Sequence, residues 1–168
     1  MTHHPDLGLI AAIPDPQAKH YAAMGAVIHL GVLIEGEMAR LFGSAFGDED
    51  VGRKLFGGYA SGDRKRAALN QIMTARAVPE WNSISARLGS LLGRDAIRNR
   101  VAHRAVHNRT RVELAEGDVA ISQIYETGED DDRLSTEALI EHAHDQVGVL
   151  TDLRRLGSEM RQSALSRP

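Results

Sequence analysis

The sequence predicts an all-α fold, a bundle of four main helices with a β-hairpin inserted between the third and fourth helices. Over most of the chain, apolar residues recur at steps of three and four, which is typical of amphipathic helices. The chain is 42% hydrophobic but only 4% aromatic, a composition that favours close-packed helices over a β-sandwich. With 168 residues, we expect residues 1–168 to form a single domain with a substantial core.

The first helix is predicted from about Gln17 to Phe46, where the apolar period is sustained. Residues 1–16, which contain three prolines, are predicted to form an extended arm around a short apolar run. Several glycines within the first helix each cost about 1 kcal/mol of helix propensity relative to Ala, so they indicate close approach of the backbone to a neighbouring element. These glycines are Gly25, Gly31 and Gly36.

Two further helices are predicted in the middle of the chain, at about Asp63–Ala77 and Pro79–Val106. Residues 43–62 are rich in Gly, Asp and Ser and are predicted to be a loop that carries a short apolar piece. Pro79 suits the first turn of the third helix, because proline lacks the N–H that this position leaves unpaired. The second helix begins with a basic cluster, Arg64, Lys65 and Arg66, which we interpret as a solvated surface.

A change of period marks the insertion before the last helix. Residues 110–126 alternate between apolar and polar, with Glu-Gly-Asp at 116–118, and this pattern predicts a β-hairpin with a glycine turn. Ser135 is a suitable N-cap for the fourth helix, whose apolar stripe runs from Leu139 to Met160.

Charge is unevenly distributed along the chain. The net charge of −3 predicts no bulk attraction to nucleic acid. Residues 94–111, however, hold six arginines and one acid, whereas residues 113–145 hold eleven acids and one arginine. Two interpretations fit: a solvated basic helix facing an acidic one, or a basic cleft whose acidic surroundings limit non-specific binding.

Several functional classes lack their sequence signatures here. The absence of cysteine excludes disulfides and thiolate chemistry. We find no glycine-rich phosphate loop, nucleophile elbow or zinc-ligand spacing, and we expect no cofactor and no metal. No signal peptide is recognised, and the longest apolar run, Ala22–Ile34, is too short to span a bilayer. We therefore expect a cytoplasmic protein without a membrane partner.

The most informative segment reads RDAIRNRVAHRAVH, from Arg94 to His107. If the third helix is continuous, the apolar stripe of the first half of the helix extends into polar residues in the second half. Arg98 and His103 would then lie at the two edges of the stripe, roughly 140° apart around the helix. Burying such groups unpaired costs about 1–3 kcal/mol each, so they are paired internally or line a cleft. Ile97 and Val101 would lie on the opposite face, where they are predicted to meet a partner.

The context of this Arg/His pair is more informative than its spacing. With 17 arginines and 8 histidines, an Arg followed by a His at one fixed spacing occurs about once by chance. The sequence RNRVAH, late in a third helix, resembles the HEPN family (higher eukaryotes and prokaryotes nucleotide-binding domains), in which Arg, a polar residue and a His form the motif. The matching residues are Arg98, Asn99 and His103, and VLIEGEMARLF in the first helix is similar to a family pattern with a glutamate, here Glu35. The resemblance covers about residues 17–162.

The resemblance implies a function and an assembly. HEPN proteins include metal-independent endoribonucleases, often toxins or defence effectors, that leave 2′,3′-cyclic phosphates. It also implies an RNA partner, a homodimer in which two third helices face a shared cleft, and a regulatory partner such as an antitoxin. In this interpretation His103 is the general acid/base, Arg98 the phosphate clamp and Asn99 the orienting group. The expected substrate contacts are Arg94, Arg100 and Arg104, and the expected supporting residues are Glu35 and Asp95.

Alternatives remain at each level. Glu35 is either a carboxylate at the edge of the surface or the group that holds an arginine of RNRVAH in position. The pairs His103/His107 and His142/His144 would hold a metal only with a further ligand nearby. The whole protein is alternatively a non-catalytic helical homodimer that serves as a protein-interaction or regulatory module, with its Arg and His satisfied structurally.

Overall fold

The computed structural model describes residues 4–59, 61–93, 96–104, 108–115, 118–125 and 135–165. This part of the chain is mainly helical, and its helices share one hydrophobic core, so the predicted all-α bundle character is confirmed. The helices are α1 (Leu7–Ala11), α2 (Pro16–Phe46), α3 (Glu49–Gly57), α4 (Gly62–Ala75), α5 (Trp81–Leu92), α6 (Ile97–Arg104) and α7 (Thr136–Leu165). The strands are β1 (Asn108–Ala115) and β2 (Asp118–Tyr125).

The central element is α2, and the predicted first helix is confirmed to within one residue. The Asp15 side chain caps its start by accepting a hydrogen bond of 2.6 Å from the backbone N–H of Ala18. Its end is set by Gly47, which adopts a φ of 86°, and the Gly47 N–H donates to the Gly43 carbonyl. Between these ends α2 buries an apolar face: Ala23, Ala26, Val27, Leu30, Ile34, Met38, Leu41 and Phe42.

The second long helix, α7, packs along α2. The predicted cap is confirmed, because Ser135 Oγ accepts a hydrogen bond of 3.1 Å from the Ala138 N–H. Gln146, which is fully buried, donates from Nε2 to the Val27 carbonyl of α2 at 3.1 Å. This bond joins the two long helices inside the core.

Two segments that were predicted to be irregular contain short helices. Residues 1–16 were predicted to be extended, but α1 forms there, with Asp6 capping it and Leu7 in the core at 7% exposure. Residues 43–62 were predicted to be a loop, but α3 forms within them, capped by the Asp48 side chain and anchored by the buried Phe56. Both helices are too short to show a repeated apolar period, which explains why periodicity missed them.

The predicted continuous helix from Pro79 to Val106 is wrong. Gly93 is extended, with φ −60° and ψ 166°, and it separates α5 from α6. The Gly93 carbonyl accepts two hydrogen bonds, one of 3.0 Å from the N–H of Ala96, just before α6, and one of 2.8 Å from Asn99 Nδ2 in the first turn of α6. These bonds replace the helical hydrogen bond that the carbonyl would otherwise accept.

The break changes which face of α6 is buried. Val101 is only 2% exposed and belongs to the core, and Ile97 packs partly buried against it, whereas Ala102 is exposed. The apolar stripe of α5 therefore does not continue into the polar residues of α6 as predicted. The prediction that Val101 meets a partner is also wrong, because the chain's own core covers this residue, and Ile97 is already partly buried against that core.

Strands β1 and β2 pair antiparallel, with Asn108 opposite Tyr125 and Ala115 opposite Asp118. The predicted turn residues 116 and 117 lie outside the described residues, as do the side chains of both strands.

By length and composition α2 is apolar enough to cross a membrane, with a mean hydropathy of 1.4 in its most apolar window. However, 44% of that window is buried within the bundle, and the core helix of a soluble protein meets the same criteria. This observation is weak evidence for a membrane span.

Candidate functional site

A carboxylate with two cations lies where α2, α4 and α6 meet. Glu35 Oε1 accepts a hydrogen bond of 2.6 Å from Arg98 Nη1, and Glu35 Oε2 accepts one of 2.6 Å from Lys65 Nζ. The three side chains are partly exposed, at 23% for Glu35, 21% for Arg98 and 19% for Lys65. We call these three residues the Glu35 cluster. It brings together two residues of the sequence-predicted site, Glu35 and Arg98.

The backbone of α2 makes room for this arrangement at Gly31, one turn before Glu35. A Cβ atom at Gly31 would lie 2.6 Å from Arg98 Nε and 2.7 Å from Arg98 Cδ. The Arg98 side chain therefore lies across α2 where α2 has no side chain of its own. The predicted close backbone approach is not found at these glycines: at Gly31 it is the Arg98 side chain that approaches, and a Cβ at Gly25 or Gly36 would meet open space.

The Glu35 carboxylate is held in its ionised form. Partial burial raises the pKa of Glu35, but the hydrogen bond from Lys65 and the positive charge of Arg98 outweigh that effect and lower the pKa below its usual value. The formal charges of Glu35, Lys65 and Arg98 sum to +1, so the cluster carries one surplus positive charge. A partly exposed surplus of this sign attracts anions such as phosphate.

The geometry leaves Arg98 able to bind a second anion. A guanidinium has five N–H donors in a planar fork that matches carboxylate and phosphate oxygens. The bond to Glu35 engages Nη1 and fixes the orientation of the fork. A fork that is already oriented loses less side-chain entropy when it binds a phosphate, so Glu35 can act as a positioning residue for Arg98.

The other sequence-predicted residues have different surroundings. Asn99 donates to the Gly93 carbonyl and thereby stabilises the turn between α5 and α6. Arg100 is half-buried on α6. Arg94 and Asp95 lie outside the described residues, and so do the side chains of His103 and Arg104.

Sequence analysis missed Lys65, which it assigned to a solvated basic surface. The helical period contained the signal that separates it from Arg64 and Arg66. Lys65 precedes Ala68 by three residues and Leu69 by four, so it shares the core-facing side of α4. A lysine at the end of an apolar stripe is placed to reach a carboxylate at the edge of the core.

The histidines singled out as metal ligands do not form a site in the described part of the chain. Among those residues, no group of three His, Asp or Glu side chains is placed to hold a metal ion. His142 is 8% exposed on α7, and burial lowers its pKa against the smaller opposing effect of Asp145, whereas His144 is exposed. His107 lies outside the described residues.

Comparisons with known proteins do not assign the chain to a family. No family model matches it, and neither the curated proteins nor the solved structures yield a match. The site must therefore be interpreted from its own chemistry.

Proposed function

We propose that this chain is a cytoplasmic HEPN-type RNA-binding protein that cleaves RNA without a metal ion. The observation that carries the proposal is the 2.6 Å bond between Glu35 and Arg98. It joins the arginine of the RNRVAH motif to the one glutamate that the family resemblance singles out on the first long helix, and 63 positions separate the two residues. Partial exposure of both side chains leaves the guanidinium accessible to a phosphate.

The proposed reaction uses the RNA's own 2′-hydroxyl as nucleophile. His103 takes the proton from this hydroxyl, the oxygen attacks the adjacent 3′-phosphorus, and the bond to the 5′-oxygen of the next nucleotide breaks. A proton returns to that leaving oxygen, and the products carry a 2′,3′-cyclic phosphate and a 5′-hydroxyl. Histidine suits the proton transfers because its pKa lies near neutrality. Arg98, oriented by Glu35, stabilises the charge on the phosphorane oxygens.

The proposal includes a homodimer, and its surface differs from the one first expected. The exposed face of α2 carries Ile28 and Val32, which are 38% and 56% exposed, between the open positions Gly25 and Gly36. An antiparallel second copy would bring the glycines of each chain beside the apolar residues of the other, as a two-fold interface requires. Glu35 adjoins this face on α2, so pairing here would bring two Glu35 clusters near one shared cleft.

A second candidate function is a non-catalytic helical dimer that acts as an interaction or regulatory module. One observation favours it: Arg98 already pairs with the Glu35 carboxylate, so the arginine can serve to stabilise the fold without binding a substrate. In this alternative the Glu35 cluster stabilises the contact of α2 with α4 and α6, and the apolar face of α2 recruits a regulatory protein.

The decisive experiment is incubation with mixed RNA in EDTA, followed by analysis of the product ends. We expect cleavage with 2′,3′-cyclic phosphate ends. His103→Ala should lower the rate by about 10²–10⁴, the usual contribution of a general acid or base. Arg98→Ala should lower it by about 10²–10³, as expected for removal of a donor to a developing oxyanion.

His144→Ala is the matched control, because this exposed histidine of α7 has no role in the proposed reaction. It should cleave at the rate of the unmodified protein. If EDTA stops the reaction, or if His103→Ala retains full activity, the proposed mechanism is wrong. RNA binding without cleavage would leave the non-catalytic module as the better account.

A further inference from the structure

An exposed apolar patch lies on α3 and at the end of α2. Four large apolar side chains there are more than a third exposed: Phe46 at 54%, Val51 at 46%, Leu55 at 48% and Tyr59 at 36%. The last three are spaced four residues apart, so α3 and the turn after it present them on one side. A patch of this kind on a bundle surface is suited to bind a ligand with an apolar face.

Tyr59 packs against two phenylalanine rings. Its ring centroid lies 6.3 Å from that of Phe42 and 6.3 Å from that of Phe56, at interplanar angles of 72° and 75°. Both contacts are edge-to-face, so neither phenyl ring is stacked parallel on the tyrosine. An exposed aromatic ring fixed in this way is a suitable platform for a planar ligand, because little side-chain entropy remains to be lost on stacking.

The platform is continuous with the Glu35 cluster. Lys65 Nζ, which donates to Glu35, also lies 5.9 Å from the centroid of the Phe56 ring. The path from Arg98 through Glu35 and Lys65 to Phe56 and Tyr59 therefore consists of adjoining contacts. Cations next to a stacking ring are the combination with which proteins bind single-stranded nucleic acid: the cations bind phosphate and the ring stacks on a base.

We propose that Tyr59 is a base-stacking subsite for single-stranded RNA whose neighbouring phosphate is bound at Lys65 and Arg98. This inference rests on the proposed function, and it extends that function by assigning single-stranded rather than paired RNA as the substrate class. A base inside a duplex has both faces stacked on its neighbours, so it cannot lie on the tyrosine ring without unstacking. Val51 and Leu55 have no π-face and take no part in the proposed stacking.

The test is the affinity for a short 2′-O-methyl oligonucleotide, which lacks the nucleophile and therefore remains intact. Tyr59→Ala should weaken binding by about 5- to 150-fold, the range for loss of one base–aromatic stack, while Tyr59→Phe should bind as the unmodified protein does. The matched control is Leu55→Gln on the same patch, which should bind normally. Lys65→Gln should weaken binding and also reduce its salt dependence, because Lys65 acts through phosphate.

Tyr59→Trp gives a readout that does not depend on how well the alanine variant folds. Oligonucleotide should quench the fluorescence of this new indole, because a stacked base lies against it. Absence of quenching, or equal losses in Tyr59→Ala and Leu55→Gln, would overturn the stacking subsite. If binding depends on salt and is weakened by Lys65→Gln but not by Tyr59→Ala, the stacking subsite is overturned while the proposed RNA binding stands. No binding by the unmodified protein at low salt would remove the proposed RNA function itself.

Discussion

At the scale of single residues, Gly31 determines where the Arg98 side chain can lie. Gly31→Ala would place a methyl group 2.6 Å from Arg98 Nε and displace the guanidinium. Alanine is a better helix former than glycine by about 1 kcal/mol, so part of the cost of displacement is offset. We expect RNA cleavage to fall about tenfold or more, as misplacement of a catalytic group predicts, with a melting temperature close to that of the unmodified protein. Cleavage kinetics and a thermal melt check both parts.

Gly57→Ala is the control for this prediction. Gly57 ends α3, is not part of the proposed dimer face of α2, and would meet open space with an added Cβ, so cleavage should be unchanged and the melting temperature should change little. A Gly31→Ala variant with full activity would show that the position of Arg98 is unimportant for cleavage.

Glu35 should make a pH-dependent contribution to stability. Its pKa is lowered in the folded chain, so the contribution is present above the unfolded value of about 4.5 and is lost as the pH falls below it. We expect Glu35→Gln to lower the free energy of unfolding by about 1–2 kcal/mol at pH 7, since it removes the charge that two cations share. Urea titrations at pH 7 and pH 3.5 check the prediction: the difference between the proteins should shrink at the lower pH.

The sequence predicted two of the three residues in the Glu35 cluster. Arg98 and Glu35 were identified because a short motif and a glutamate among apolar residues resemble a known family. Their contact could not be predicted from spacing, since it depends on how α6 crosses α2 at Gly31. Lys65 was missed because a run of three basic residues was treated as one surface, although only Lys65 follows the apolar period of α4.

At the scale of helices, the sequence predicted α2 and α7 well because long periodic stripes and clear caps define them. It failed at Gly93, where the apolar pattern on either side is compatible with a continuous helix. A single glycine within a helix costs only about 1 kcal/mol, so propensity alone did not predict the break. The hydrogen bonds that stabilise the break come from Ala96 and Asn99, which sequence analysis had assigned to the interior of a helix.

The folded chain should lose stability in mild acid because of His142 on α7. Burial lowers the pKa of this histidine more than Asp145 raises it. Below about pH 6.5 the unfolded chain therefore binds a proton at His142 more readily than the folded chain does. Stability should therefore fall as the pH drops from 6.5 towards 5, by at most about 1.4 kcal/mol per pH unit for this one group. His142→Leu should flatten that slope in urea titrations. His144→Leu, at an exposed position of the same helix, should leave it unchanged.

At the scale of the whole molecule, two valines distinguish the core from the proposed dimer surface. Val101 on α6 is 2% exposed, whereas Val32 on α2 is 56% exposed. Val101→Glu should unfold the chain or remove most of its stability, because the substitution places a charge in the core without a partner. Circular dichroism and a thermal melt measure this loss. A Val101→Glu variant that kept normal stability would contradict the burial of this residue.

Val32→Glu should act on assembly instead. The side chain faces outward from α2, so helix content should be retained, while two new carboxylates would face each other across a two-fold contact and disfavour it. We expect sedimentation at micromolar concentration to give a dimer for the unmodified protein and a monomer for Val32→Glu, with a matching loss of RNA cleavage if the cleft is shared. Thr151→Glu, at an exposed position of α7, adds the same single negative charge outside that face, and this control should remain dimeric. An unmodified protein that sediments as a monomer would remove the shared cleft, and a Val32→Glu dimer would place the contact elsewhere than on the face of α2.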